Sequence, residues 1–348
     1  MQARPLDPHD DAQLRAFYDV SWRAEMDDDR PWNGHWTYDE LASTLRDTTP
    51  EHRAAGLAAY DGDRLVGAGI SMWSEIDNVD KAFVFPMVDP PARGRGVGGA
   101  LLEAMVEQSR AAGRTTVTST AAYAGPEDDQ SPPVRFAASH GFHVANTEIQ
   151  RQLRLPVDDA LLDEVDAEGE PHRDGYTVTT FVDDLPDELL PSYCALVNQL
   201  IVDAPTGEVD YEASALTPDS MREHIAVQRR IGRRVYRSLA VRDGEAVAQS
   251  DLALQTEGDT AVQWGTYVHR DHRGHRLGAA VKVANLRALQ RERPDIRRID
   301  TSNAETNSWM VSINERLGFE ILAVAPSFVR HLEPRTATPT SSSRSLAT

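Results

Sequence analysis

The chain repeats itself once, at a period far longer than any solenoid unit. Asp61-Gly62-Asp63-Arg64 returns as Arg242-Asp243-Gly244-Glu245. The run VDPPARGRGVGGALL (88–102) returns as VHRDHRGHRLGAAVK (268–282), and His140-Gly141-Phe142 returns as Leu317-Gly318-Phe319. The offsets are 182 (Asp61 to Asp243), 180 (Arg93 to Arg273) and 177 (Gly141 to Gly318). Three landmarks in one order at nearly one offset require two copies of one fold. A length of 348 residues is room for two domains.

Each copy reads as the same series of elements. In the first, a short strand at 2–5 precedes helices near 10–25 and 38–47. Strands follow at 53–60, 64–73 and 81–88, the first two joined by the turn Asp61-Gly62. A helix from Gly96 to about Ala112 carries Val97, Leu101 and Met105 at one-turn spacing. A strand at 115–121, a helix at 132–140 and strands through Leu155 complete it. The second copy predicts helices at 185–202 and 217–231, and strands at 234–241, 246–255 and 261–268. A helix at 276–291 shows Leu277, Val281, Ala284 and Ala288 on one face and stops before Pro294. Strand 297–302, helix 306–316 and strands within 319–332 end the domain. The expected boundaries are therefore 1–155 and 176–333. An acidic, exposed linker at 156–175 would hold at most a short helix. The Ser/Thr-rich tail 334–348 is expected to be disordered.

Charge narrows the function. Lys+Arg is 36 and Asp+Glu is 55, a net charge of -19, which repels phosphate backbones and disfavours nucleic acid as a partner. Only Lys81 and Lys282 are lysines, so clustered arginines are the cations that matter. No apolar run reaches the ~18 residues of a membrane span. The N-terminus lacks an apolar leader segment, and the single Cys194 allows no internal disulfide, so a reducing cytoplasm is the expected setting. Cys194 sits in an apolar helical stretch and reads as a buried, inert thiol. His269, His272 and His275 share an arginine-rich loop whose spacing does not suit a metal.

The chemistry concentrates after the fourth strand of each copy. Arg93-Gly94-Arg95-Gly96-Val97-Gly98-Gly99 runs directly into a helix. Free backbone N–H groups and the positive end of the helix dipole meet there, and glycine lets a phosphate approach the main chain. Two arginines add charge inside an acidic protein. The loop suits a pyrophosphate.

Arg-x-x-Gly-x-Gly after a strand, followed by a helix and later by a helix ending in Gly-Phe, resembles the GCN5-related N-acetyltransferase (GNAT) family. The resemblance covers about 2–155 and 176–333 and implies an α/β fold of two tandem domains. Each would be a splayed, mostly antiparallel mixed sheet flanked by helices, with acetyl-CoA in the V-shaped opening. It implies that pantetheine joins the edge of the fourth strand, beside Pro86, Met87 and Val88 or beside Thr266, Tyr267 and Val268. The N–H of Val88 or Val268 would serve the thioester oxygen. The pyrophosphate would lie on residues 93–98 or on Arg273-Gly274-His275-Arg276-Leu277-Gly278, where Arg276 replaces the first glycine of the motif. Asn303 and Asn307 would hold the pantetheine or the adenosine end.

An ammonium of pKa ~10.4 must lose a proton before it attacks a thioester. Carboxylates in suitable segments are Glu25, Glu75 and Asp77 in copy one, and Asp203, Glu212 and Asp251 in copy two. The loop 198–212, with Asp203 and Glu212, is the favoured acceptor contact; Glu25 to Asp29 is its acidic counterpart. The tyrosine that the family often places four residues before Gly-Phe is Ala137 here and Asn314 in copy two. A thiol of pKa ~8.5 leaves without an acid, and Asn314 can still hydrogen-bond the sulfur. The expected activity is acetyl transfer to the primary amine of a small molecule, without a metal. A non-catalytic acyl-CoA-binding scaffold, or a different acyl donor, is the alternative. The cofactor loop is more intact in copy one, the acceptor loop richer in copy two.

Overall fold

Asp61-Gly62 and Asp243-Gly244 fall at the tips of two hairpins, and each hairpin begins a sheet that continues in the same order in both copies. The computed structural model describes residues 2–26, 30–34 and 36–333. The tail 334–348 lies outside them. The first copy holds β1 (Gln2–Pro5), α1 (Asp11–Met26), α2 (Tyr38–Arg46), β2 (Arg53–Asp61), β3 (Arg64–Trp73), β4 (Lys81–Val88), α3 (Val97–Ala111), β5 (Thr116–Thr120), α4 (Pro132–Ser139) and β6 (His143–Arg154). After α5 (Asp159–Gly169), the second copy holds β7 (Thr177–Val182), α6 (Leu190–Asp203), α7 (Pro218–Arg230), β8 (Val235–Arg242), β9 (Glu245–Leu254), β10 (Thr260–Val268), α8 (Leu277–Glu292), β11 (Arg298–Ala304), α9 (Ser308–Leu317) and β12 (Glu320–His331).

Two expectations change. The segment 156–175 is more than an exposed acidic linker. Its helix α5 buries Leu162 and Val165 among Val283, Leu286 and Leu289 of α8. With the sheet on one side and α5 on the other, α8 is buried nearly all round rather than along one face. The end of the chain, read as strands, is the single strand β12.

The strands form one continuous sheet of twelve, in the order β1-β2-β3-β4-β5-β12-β6-β11-β10-β9-β8-β7. Within each copy the fourth and fifth strands are parallel and touch only briefly. Lys81–Phe83 pairs with Thr116–Thr118, and Thr260–Val262 pairs with Arg298–Asp300. Beyond those residues the strands diverge, so the ends of β4 and β10 keep one unpaired edge.

The copies also exchange a strand. β12 of the second copy pairs with β5 of the first, and β6 of the first pairs with β11 of the second. Phe328 and Leu332 therefore pack with Leu101 and Met105, while Leu153 packs with Leu286 and Ile299. Each half cut from the other loses core side chains and exposes a strand edge. The expected result is that fragments 1–155 and 156–333 aggregate when produced singly and form a soluble 1:1 complex when co-expressed. Size-exclusion chromatography with circular dichroism reads the outcome, and two monomeric folded fragments would refute it.

Candidate active site

Why the loop after β4 turns as it does is written in its glycines. Gly94 and Gly96 have φ of 71° and 80°, the left-handed region that costs other residues about 1–2 kcal/mol. That bend ends at the first turn of α3, whose N-terminus has no side-chain cap. Arg93 ties the loop down: its Nε donates to Val88 O at 3.3 Å and its Nη2 to Ala24 O at 3.0 Å.

The loop forms one wall of a cleft of about 970 Å³. Met87, Val88, Arg93, Gly94, Gly96, Val97, Gly98 and Gly99 all line it, as the sequence reading expects; Arg95 is exposed and is not part of the lining. The opposite wall is the end of β5 and α4, through Ser119, Tyr123, Phe136, Ala137 and His140. Gln150 and Phe328 reach in from β6 and β12. Asp89 N donates to Val66 O on β3 at 3.0 Å. Alternation along the strand therefore turns Val88 N–H away from β3, toward the splayed side. The cleft thus combines a wide opening, an unpaired strand edge and a capless helix N-terminus.

On the other face of β4 lies a second pocket of about 220 Å³. It shares Glu25, Gly34, Phe85 and Met87 with the cleft, so the two spaces meet at the end of the strand. Glu25 stands at that junction, in the last turn of α1. Its backbone is held from several sides: Asn33 Nδ2 donates to Glu25 O at 2.8 Å, Arg93 bonds the neighbouring Ala24 O, and Arg23 Nε meets the buried Asp89 at 2.9 Å. Burial pushes the Glu25 carboxyl up to about 7, with Arg30 and Arg93 acting in the opposite direction. A carboxyl poised near neutral pH is suited to take a proton from an amine and release it.

The second copy has the same main-chain bend and a different interior. Gly274 and Arg276 have φ of 86° and 56°, so Arg276 adopts at strain the conformation of Gly96. Its loop is overlaid by the linker: His275 Nδ1 lies 2.8 Å from His172 O, and Glu168 of α5 is within electrostatic reach of Arg276. Inside, Leu102, Ala121 and Ala137 of the first cleft correspond to Lys282, Asn303 and Asn314. These form a chain. Lys282 Nζ donates to Asn314 Oδ1 at 2.8 Å, and Asn314 Nδ2 donates to Asn303 Oδ1 at 2.6 Å. Asn314 is 0% exposed and Lys282 2%, with the ammonium 5.4 Å from the Phe319 ring centre.

This places the remaining expected residues. Asn314 has both ends of its amide engaged and is not free to meet a sulfur. Asp203 accepts from Gln199 Nε2 (3.0 Å), Tyr267 Oη (2.8 Å), Arg270 Nη2 (2.7 Å) and Arg273 Nη2 (2.6 Å). Those bonds hold its carboxyl far below the usual range against the opposing effect of burial. It is a clamp on the loop of copy two, not a base. Glu212 is exposed, and its N–H donates to Asn78 Oδ1 of the first copy at 2.9 Å, a contact between the halves. Asn307 caps α9 by accepting from Met310 N at 3.3 Å. Val268, Leu277 and Gly278 gather at the end of β10 as their counterparts do in copy one. Glu75 pairs with Arg53 at 2.9 Å and Asp77 accepts from Ala215 N at 2.8 Å, so neither faces the cleft. Asp251 is bonded to Tyr193 Oη inside the core. Cys194 is buried, which raises its thiol to about 11.

The lysine carries a stability consequence. Burial lowers Lys282 to about 7, against an ordinary value of 10.5. Between those values the unfolded chain binds more protons, so stability climbs as pH rises from 7 to 10.5. Lys282→Leu is expected to melt roughly 3–10 °C higher at pH 6, on the order of 1–4 kcal/mol, with the gain fading toward pH 10.5. Thermal melts across pH check this; an equal or lower melting temperature at pH 6 would refute it.

Sequence reading missed Phe136, His140, Gln150 and Phe328, and missed the apolar pocket. The alternation of Phe83, Phe85 and Met87 was a signal for the pocket; nothing local announces Phe328, which arrives through the exchange.

Among the described residues no three His, Cys, Asp or Glu side chains are grouped to hold a metal ion. No helix there is long and apolar enough to cross a membrane. No curated protein matches the chain. The sequence profile of the Acetyltransferase (GNAT) family matches residues 14–142. A solved tandem GNAT protein from the clavulanic acid biosynthesis pathway is 28% identical, over 96% of this chain and 99% of that one, with a TM-score of 0.77. A GCN5-related N-acetyltransferase from Sphaerobacter thermophilus shares the fold at 18% identity and TM-score 0.62, over 96% of both chains. The profile over residues 14–142 marks the first copy as a GNAT domain, and the likeness across both copies, with two splayed strand pairs each followed by an arginine–glycine turn, gives the chain the architecture of a tandem GNAT protein.

Proposed function

We propose that the protein is an acetyl-CoA-dependent N-acetyltransferase that acetylates the primary amine of a small molecule, and that its first copy performs the reaction. The carrying observation is Glu25, raised to about 7 at the junction of an open cleft and a separate pocket. The residues fit the carrier. The bend at Gly94 and Gly96 and the N–H groups opening α3 take the diphosphate, with Arg93 fixing the loop. The free edge at Val88 takes the pantetheine. When bound, acetyl-CoA supplies the activated acetyl group.

Glu25 accepts a proton from the substrate ammonium, leaving a neutral amine lone pair at the end of β4. Val88 N–H faces the negative charge that grows on the carbonyl oxygen as the C–N bond forms. The C–S bond then breaks. The thiolate takes the proton that the new amide nitrogen gives up, and Glu25 returns its own proton to solvent. Ala137 offers no acid, in keeping with a leaving group of pKa ~8.5.

The second copy supports the first instead of duplicating it. Its cleft positions hold the Lys282–Asn314–Asn303 chain, and the acidic α5 lies beside the loop where a diphosphate would rest. Its strand β12 supplies Phe328 to the active cleft. Thiol release from acetyl-CoA across a panel of amines tests the activity. Release dependent on an amine supports it. Carrier binding without release on any amine would favour a non-catalytic acyl-CoA-binding protein.

A further inference from the structure

We infer that the acceptor is an arylalkylamine or similarly bulky hydrocarbon amine that carries no carboxylate; this rests on the reading of the cleft and Glu25 given above. The pocket beyond Glu25 is walled by Tyr18, Trp22, Trp36, Phe83, Phe85 and Ile70. A dry apolar cavity of about 150 Å³ holds benzene, so about 220 Å³ accommodates an aromatic ring with a short linker. Because the pocket opens at Glu25, a ring seated in it presents its amine, one or two carbons away, to the carboxylate and the end of β4.

The polar groups decide against other amines. Among the described residues Glu25 is the sole charged side chain of the lining, and its ionised form repels a substrate carboxylate. Ser21 already donates to Tyr18 O at 2.8 Å. Burial raises the Tyr18 hydroxyl, which keeps it neutral. A sugar ring would lose most of its hydrogen bonds to water and regain few. Trp22 and Trp36, 43% and 39% exposed, stand at the rim. Their faces attract an ammonium before it is deprotonated.

The test uses the full chain with acetyl-CoA and four amines: 2-phenylethylamine, ethanolamine, glucosamine and phenylalanine. Thiol release is expected to show kcat/KM for 2-phenylethylamine about 100-fold above the others, the scale that several buried carbons allow. Met72→Trp, which fills the pocket from β3, and the surface change Trp22→Ala should each cut that value by about tenfold or more. Met72→Trp should lower the ethanolamine value less, since that amine places no ring in the pocket. Equal rates, or a preference for a polar amine, would overturn the substrate class while leaving acyl transfer intact. If no amine turns over, ligand-observed NMR of 2-phenylethylamine decides. Saturation transfer that Met72→Trp abolishes upholds the pocket and overturns transfer; no binding overturns the pocket.

Discussion

Glu25→Gln is expected to reduce kcat by about 10²–10⁴-fold while carrier affinity stays unchanged. The glutamine keeps the size and the packing of the last turn of α1 but takes no proton. In the wild type, activity rises with pH as Glu25 ionises, through an apparent pKa near 7. In the variant that limb should vanish, and the remaining rate should follow the ionisation of the amine itself. Stability moves the other way. A carboxyl whose folded value lies above its unfolded 4.5 loses stability as pH climbs from there through about 7. The variant never ionises, so it should melt above the wild type at pH 8 and level with it at pH 4. Steady-state kinetics over pH, calorimetry with CoA and thermal melts together separate a lost base from a damaged fold. A variant that keeps its rate and its pH limb would remove Glu25 from the mechanism.

The second large effect concerns stoichiometry. One CoA should bind per chain, and Gly98→Trp should abolish it. A Cβ at Gly98 lies 3.3 Å from Phe136 Cζ and 3.4 Å from Val88 Cγ2, so a large side chain there fills the space between the walls of the cleft. Gly98 is helical, and the change adds no left-handed strain, unlike a substitution at Gly96. Gly278→Trp, at the matching place in copy two, should leave the stoichiometry at one and the affinity within about twofold, since the Lys282–Asn314–Asn303 chain stands where a carrier would enter. Isothermal titration of both variants reads the answer. Two sites in the wild type would show that both clefts bind, and loss of binding from Gly278→Trp alone would show the second cleft to be the working one.

How far the chain speaks for itself differs between backbone and site. The repeat, the order of strands and helices, and the arginine–glycine turns are all legible, because each rests on local rules. Hydrophobic spacing marks a helix or a strand within a few residues, and a glycine turn before a helix makes an anion site wherever it occurs. Gly94, Gly96, Val88 and Met87 accordingly line one cleft. Glu25 was among the candidates but stood level with Glu75 and Asp77. Only the fold shows that one of the three is half-buried at a cleft while another is paired to Arg53 and the third to a backbone N–H.

Asp203 shows the converse. It follows a helix in an acidic loop, as an acceptor contact would, yet Arg270, Arg273 and Tyr267 close around it. A carboxylate's chemistry depends on charges and solvent within a few ångströms, and those come from distant parts of the chain. The same holds for Lys282, Asn303 and Asn314, which give no signal singly and form one hydrogen-bonded chain in the fold. Phe328 enters the first cleft only because β12 pairs with β5 across the copies. Local sequence thus determined two copies of one fold and the arginine–glycine turn that each offers a carrier. Long-range packing, through the partial burial of Glu25 and the pairing of β6 and β12 across the copies, decided what lines each of them.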